Sequence, residues 1–151
     1  VITFGLAKNG GFAGDVVVVR DRKYIDIESR YQKQFGYLQP RMQLYGAQAV
    51  ALMQGDLWLK NATHANEQAS NLGVRLTREC GVIPIFPVST NAVFIAVAKE
   101  VAFALEQAGH GCSWDSACVE PGDERCIVRF MTSWATTKED IDCVVSFLKA
   151  N

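Results

Sequence analysis

Almost no net charge remains on this chain: fifteen basic side chains face sixteen acidic ones, leaving -1 at pH 7. A balance this even provides no field to draw the protein onto nucleic acid or an anionic membrane, which excludes charge-driven binders of either kind. No run of eighteen apolar residues occurs, and Val1-Ile2-Thr3-Phe4-Gly5 lacks the basic start and long apolar core of a signal peptide, so the chain reads as cytoplasmic. None of the five cysteines, Cys80, Cys112, Cys118, Cys126 and Cys143, forms a Cys-x-x-Cys pair. That argues against a disulfide framework and a zinc knuckle, and for free, mostly buried thiols. The two histidines, His64 and His110, have no partner at metal-ligand spacing, so no metal site is expected. Neither Gly-x-x-x-x-Gly-Lys-Ser/Thr nor Gly-x-Ser-x-Gly is found, which leaves a phosphate-cradling nucleotide loop and serine-triad chemistry without support. An initiator methionine is lacking too, and the chain opens directly in an apolar, β-prone stretch, which suggests a piece of something longer.

What is present is a globular composition. Hydrophobic residues make up 49% and charged residues 21% of 151 positions, which excludes disorder and fits one domain or two small ones. A folded chain of this length buries roughly 70% of the surface its unfolded form exposes, enough for a core without disulfide staples.

Two short apolar runs, Val1 to Phe4 and Val16 to Val19, lack polar alternation, which predicts strands covered on both faces inside an α/β layer. Between them, Lys8-Asn9-Gly10-Gly11-Phe12-Ala13-Gly14 is a glycine-dense loop where the backbone can take positive φ or approach a ligand closely. Helical spacing runs from about Lys23 to Phe35 and stops at Gly36; a second helix follows Pro40, placed in its first turn, and ends at Gly55. The longest predicted helix covers Asp56 to about Cys80. Trp58, Ala62, Ala65, Ala69, Leu72 and Leu76 form its buried stripe, with Asp56 as N-cap and Gly81 as stop.

Beyond Gly81 the pattern changes. Val82-Ile83-Pro84-Ile85-Phe86 and Ala92 to Val97 read as strands, the first at a sheet edge because of Pro84. A short helix spans about Lys99 to Ala108, and a loop over 109–125 holds a short strand at Cys112 to Trp114. Cys126 to Met131 is a strand interrupted by Arg129. A final helix follows, with Thr136 and Glu139 at capping-box spacing and Ile141, Val144, Val145 and Leu148 on one face. Residues 82–151 therefore read β-β-α-(β)-β-α, a small α+β domain, and residues 1–55 as the end of another layer, with the boundary near Gly55.

Three cationic residues could carry chemistry. Lys8 sits just past a strand and opens the glycine loop; a partly desolvated ammonium has a lowered pKa, as a Schiff-base lysine needs. The alternative is a solvated surface lysine. Arg129 places a charge inside an apolar strand, where an anionic ligand would neutralise it, and arginine is shaped for a bidentate hold on a carboxylate. The alternatives are a solvent-facing position or pairing with Glu120, Asp123 or Glu124. Lys33, in Arg30-Tyr31-Gln32-Lys33-Gln34-Phe35-Gly36, lies at a helix C-terminus, where the helix dipole alone accounts for a basic residue. His64 flanks the apolar stripe and His110 punctuates a loop, and neither reads as a ligand.

Three stretches in order resemble the bacterial low-specificity threonine aldolases. Thr3-Phe4-Gly5-Leu6-Ala7-Lys8-Asn9-Gly10-Gly11, followed by Gly14-Asp15-Val16-Val17-Val18, is similar to the segment carrying that family's cofactor lysine. The Lys33-Gln34 stretch resembles its basic Lys-Gln-x-Gly segment, and Asp56 to Asn66 its long helix. The third stretch that carries the resemblance is Val128-Arg129-Phe130-Met131-Thr132-Ser133-Trp134, with Thr136-Thr137-Lys138-Glu139-Asp140 behind it. The resemblance covers essentially the whole chain.

It implies a pyridoxal 5'-phosphate enzyme of the aspartate-aminotransferase fold type I, seen in its C-terminal portion: the end of the large-domain sheet over 1–55, then a linking helix and small α+β domain over 56–151. The implied reaction cleaves threonine, allo-threonine or a related β-hydroxy-α-amino acid to glycine and an aldehyde. Lys8 would be the catalytic, cofactor-binding residue, while Arg129 and Lys33 would bind substrate, Arg129 by its α-carboxylate. A homodimer or homotetramer is implied. Two departures stand out: Ala7 replaces a threonine usual before the lysine, and the family's phosphate-binding turn, ring-stacking histidine and pyridine-facing aspartate belong to an N-terminal half upstream of Val1. The competing readings are a β-eliminating lyase or decarboxylase on the same fold, and a non-catalytic α/β fragment.

Overall fold

The computed structural model describes residues 1–113 and 124–151. The chain divides into two compact units, Val1–Asn61 and Ala62–Asn151. In the first, β1 (Ile2–Gly5) and β2 (Asp15–Val18) form an antiparallel ribbon, Ile2 opposite Val18 and Phe4 opposite Val16. The connection between them holds a 3-10 turn at Ala7–Asn9 and is anchored by Leu6, which is 1% exposed. Helix α1 (Ile25–Gln34) stops where Gly36 takes φ 76°, and α2 (Met42–Met53) follows Arg41, so Pro40 lies just ahead of that helix instead of in its first turn.

The prediction that both strands are covered on two faces does not hold in this chain. Ile2 is 67% exposed, and Val17 and Val18 are exposed too. A two-stranded ribbon has both edges open, and on one face Phe4 meets the Trp58 ring edge-on at 5.8 Å while the Ile2–Val18 end stays uncovered. An apolar run reports that residues are suited to burial; it does not report what buries them.

Helix α3 (Leu57–Cys80) begins in the first unit and runs through the second. Four members of its predicted stripe, Ala65, Ala69, Leu72 and Leu76, are buried, Trp58 and Ala62 are half-buried, and Gly81 at φ 69° ends the helix. Asp56 differs from its expected role: its φ is 57°, not the extended backbone of an N-cap, because the 3-10 turn Gln54–Asp56 leads into the helix through left-handed residues.

The second unit adds a three-stranded antiparallel sheet in the order β3–β5–β4, from β3 (Ala92–Ala98), β4 (Cys112–Ser113) and β5 (Arg125–Met131). Helix α4 (Lys99–Gln107) follows β3, and α5 (Lys138–Ala150) follows β5. One face of the sheet, Val93, Ile95, Val97, Val128 and Phe130, packs into a single core with Leu72 and Leu76 of α3, Leu105 of α4 and Ile141, Val144 and Val145 of α5. The alternation of period two thus places Phe94, Ala96, Ile127 and Arg129 on the opposite face.

Two local predictions need correction. Val82–Phe86 forms no strand: Val82 N–H bonds back to the Leu76 carbonyl at 3.1 Å, Pro84 has no N–H, and Ile85 N–H reaches the sheet at the Phe94 carbonyl, 2.9 Å. The segment lies instead along α3 at Gly73, where a Cβ would meet Pro84 Cγ at 3.7 Å and, just beyond the segment, Val88 Cγ2 at 3.0 Å. The capping box is one residue later than predicted, Thr137 with Asp140, because Thr136 Oγ1 is already engaged by the Ser133 N–H at 2.8 Å. The thiols are less buried than expected, with Cys80, Cys112 and Cys126 intermediate and Cys143 exposed; Cys118 lies outside the described residues. Among the described residues no helix is long and apolar enough to cross a membrane, and no group of His, Cys, Asp and Glu could hold a metal ion.

Candidate functional site

The Lys8 loop owes its shape to backbone hydrogen bonds closed around Leu6. The Leu6 N–H donates to the Gly14 carbonyl at 3.0 Å, and the Leu6 carbonyl accepts from Asn9 N–H at 3.1 Å and Gly11 N–H at 2.9 Å. Gly14, at φ 101°, lies where a Cβ would meet the Tyr45 ring at 2.7 Å, so only glycine fits there. Helix α2 holds the far side: Gln48 Oε1 accepts from Phe12 N–H at 2.6 Å and Ala13 N–H at 3.3 Å, while its amide nitrogen donates to the Leu44 carbonyl at 3.2 Å. The first turns of α3 hold the near side. Asn9 Nδ2 donates to the Trp58 carbonyl at 3.0 Å, and Asn61 Nδ2 donates to the Asn9 carbonyl at 2.9 Å. Lys8 stands exposed on this fixed backbone.

Lys33 is exposed in the last turn of α1, so the two lysines occupy separate elements of the first unit. Arg129 belongs to the second unit, half-buried at the centre of the middle strand, in register with Phe94 on one side and Cys112 on the other. Its Nη2 donates toward Cys112 Sγ at 3.6 Å. Because its neighbours Val128 and Phe130 enter the core, Arg129 is presented on the face that α3, α4 and α5 do not cover. Of the carboxylates weighed as its partners, Glu120 and Asp123 lie outside the described residues.

One cavity of about 1300 Å³ opens in the first unit among Thr3, Val17, Tyr31, Phe35, Tyr37 and Tyr45, and another of about 560 Å³ in the second beside Gly73, Thr77, Phe86 and Val88. None of Lys8, Lys33 and Arg129 lines either. Of the histidines, His64 Nε2 donates to the Thr136 carbonyl at 2.8 Å, and His110 meets the Phe147 ring edge-on at 5.5 Å.

Sequence reasoning missed the polar groups that hold these elements. Thr132 follows β5 and is 4% exposed; its hydroxyl donates to the Ala65 carbonyl at 2.7 Å, with the Asn91 carbonyl 3.2 Å away, and Asn91 Nδ2 returns a bond to the Thr132 carbonyl at 2.7 Å. For Asn61 a signal existed, since asparagine in a helix interior competes with the backbone and is unfavourable without a reason. Gln48, an ordinary helix former, gave none.

No family model matches the chain. It is 32% identical over 141 residues to the low-specificity L-threonine aldolase of Pseudomonas aeruginosa, an alignment covering 93% of this chain and 39% of that protein. A second low-specificity L-threonine aldolase, from another Pseudomonas strain, is 31% identical over 129 residues, covering 77% of this chain and 37% of that one. Among solved structures, threonine aldolase from Leishmania major superposes with a TM-score of 0.86 at 26% identity, over 98% of this chain and 42% of the other. The chain thus spans about two fifths of the length of the relatives it matches. Sequence identity and shared fold agree that this chain is similar to part of the low-specificity threonine aldolases, and its fold is part of the fold-type-I architecture expected from its ordered motifs.

Proposed function

We propose that the protein to which this chain belongs is a pyridoxal-phosphate-dependent aldehyde lyase cleaving a β-hydroxy-α-amino acid, such as threonine or allo-threonine, to glycine and an aldehyde. The observation that carries this reading is the superposition on a threonine aldolase over 98% of the chain. The residues fit the cofactor such an enzyme uses. Lys8 is an exposed primary amine on a backbone fixed from both sides, which suits a side chain that must bond covalently to a carbonyl carbon at one place. When bound, pyridoxal phosphate supplies the electron sink for breaking the Cα–Cβ bond.

Three residues of this chain would share the rest with the remainder of the protein. Lys8 Nζ holds the cofactor. Arg129, on the sheet face turned away from α3, α4 and α5, binds the α-carboxylate through paired N–H donors and so orients the bond to be cleaved. Lys33 adds a positive charge for the same substrate. In the cleavage the β-hydroxyl loses its proton as the Cα–Cβ bond breaks, the aldehyde departs, and Cα gains a proton to become glycine.

Borohydride treatment of the full-length protein, followed by peptide mapping, is expected to find the pyridoxyl group on Lys8. A label on another lysine, or none, overturns the assignment. Arg129→Ala is expected to raise KM for the amino acid about tenfold or more, as loss of a charge-assisted pair does; an unchanged KM removes the carboxylate role. Products decide the reaction, since pyruvate and ammonia from serine would mark an eliminating lyase instead.

A further inference from the structure

We infer that Asn61, acting through Asn9, is a positioning residue for the Lys8 amine. This rests on the reading that Lys8 carries the cofactor. Asn9 is the residue after Lys8, and one turn of α3 grips it twice: its side chain donates to the Trp58 carbonyl at 3.0 Å, and its own carbonyl accepts from Asn61 at 2.9 Å. Bonds at both the side chain and the backbone of one residue fix its rotation, so the peptide leaving Lys8 has one direction. On the other side, buried Leu6 closes the turn through its carbonyl, which accepts from both Asn9 and Gly11. Lys8 therefore extends from a backbone pinned before and after it, while its own side chain stays exposed.

Nothing on the helix itself calls for Asn61. Its neighbour Ala62 belongs to the apolar stripe, and an asparagine in a helix interior is unfavourable on its own account. Its amide instead reaches a partner 52 residues away in sequence. A covalent lysine gains most from such a fixture, because small displacements of a reacting group carry large losses of rate.

The test uses the full-length protein, both loaded with cofactor and stripped of it. Asn61→Ala deletes the donor, Asn61→Asp sets an anion against the Asn9 carbonyl, and Asn61→Gln keeps an amide on a longer arm. In the stripped protein, exchange of the Asn9 and Gly11 amide hydrogens is expected to quicken about fivefold or more in Asn61→Ala and Asn61→Asp, as local opening becomes easier. In the loaded protein, the pH midpoint of the cofactor absorbance band shifts, kcat falls about tenfold with KM within about twofold, and Asn61→Gln recovers part of each. Unchanged exchange and an unchanged absorbance midpoint in Asn61→Ala overturn the inference, as does a change confined to KM. Should Asn61→Ala not accumulate folded, Asn9→Ser, which removes the Trp58 bond alone, is read by the same criteria. Mapping the pyridoxyl group separates the two failures: a label away from Lys8 removes the underlying reading, whereas a label on Lys8 with unchanged exchange and absorbance removes only the role of Asn61.

Discussion

The two units of this chain are built from similar residues and bury them very differently. In Val1–Asn61 the buried apolar side chains are Leu6 and Leu52, and most of the exposed large hydrophobics among the described residues, from Val1 and Phe12 to Leu44 and Leu59, belong there. In Ala62–Asn151 three helices close over one face of a sheet, and Leu76, Val93, Ile95, Leu105 and Val128 are sealed completely. The difference teaches that order and burial are separable. The Lys8 loop lies in the poorly buried unit, yet polar clamps from Gln48, Trp58 and Asn61 hold it, where packing holds β3 and β5. The better-packed unit supplies Arg129 on a rigid strand, so each unit holds a candidate site residue by a different physical means.

The sharpest way to break this comparison is to remove apolar volume from each unit and follow urea unfolding. Ile95→Ala, in the middle of the second unit's core, is expected to cost about 2–5 kcal/mol, the lost transfer energy plus the cavity left behind. Val17→Ala, half exposed in β2, is expected to cost under about 0.5 kcal/mol. Equal losses would mean that the first unit has a core of its own after all.

Next in size is Thr132→Val, which keeps the volume but leaves the Ala65 and Asn91 carbonyls without the hydroxyl; a loss of about 1–3 kcal/mol is expected. A neutral result would show that those carbonyls are satisfied without it, and that packing alone sets the stability of this unit.

Much of the architecture was legible because it depends on local rules. The α3 stripe follows from helical spacing, the stops at Gly36, Gly81 and Gly109 from positive φ, and the α5 face from Ile141, Val144 and Val145. Misreadings arose where two local rules competed. The apolar character of Val82–Phe86 outweighed the donor missing at Pro84, and capping-box spacing fitted Thr136 as well as Thr137. A charge inside an apolar run drew attention to Arg129 and the glycine loop to Lys8, but it is the family resemblance that gives either of them a role. The clamps were out of reach: Gln48 to Phe12 spans 36 positions, Asn61 to Asn9 spans 52 and Thr132 to Ala65 spans 67, and no period connects such pairs.

The smallest expected effect concerns charge, and it too separates the units. On the second unit's surface, Glu79 accepts from Arg75 at 2.6 Å and from Lys149 at 2.5 Å, while Arg75 also bonds Asp142, tying α3 to α5. The Arg75 bond first, then the Lys149 bond, hold the Glu79 carboxyl well below its usual value of 4.5, at about 2. A depressed carboxyl stabilises the fold wherever the unfolded chain is also ionised, so the contribution is fully present above about 4.5. It declines as pH falls toward 2, because the unfolded chain takes up a proton that the folded one resists. The thermal midpoint of Glu79→Gln is therefore expected to lie slightly below the parent's from pH 7 to 5, with the gap closing as pH approaches 2. Asp21→Asn in the first unit breaks a pair with Lys23 that is open to solvent, with side chains 51% and 65% exposed, and is expected to move the midpoint little at any pH. A Glu79→Gln gap that persists unchanged at pH 2 would place its origin in the packing of the amide, not in the charge that links the two helices.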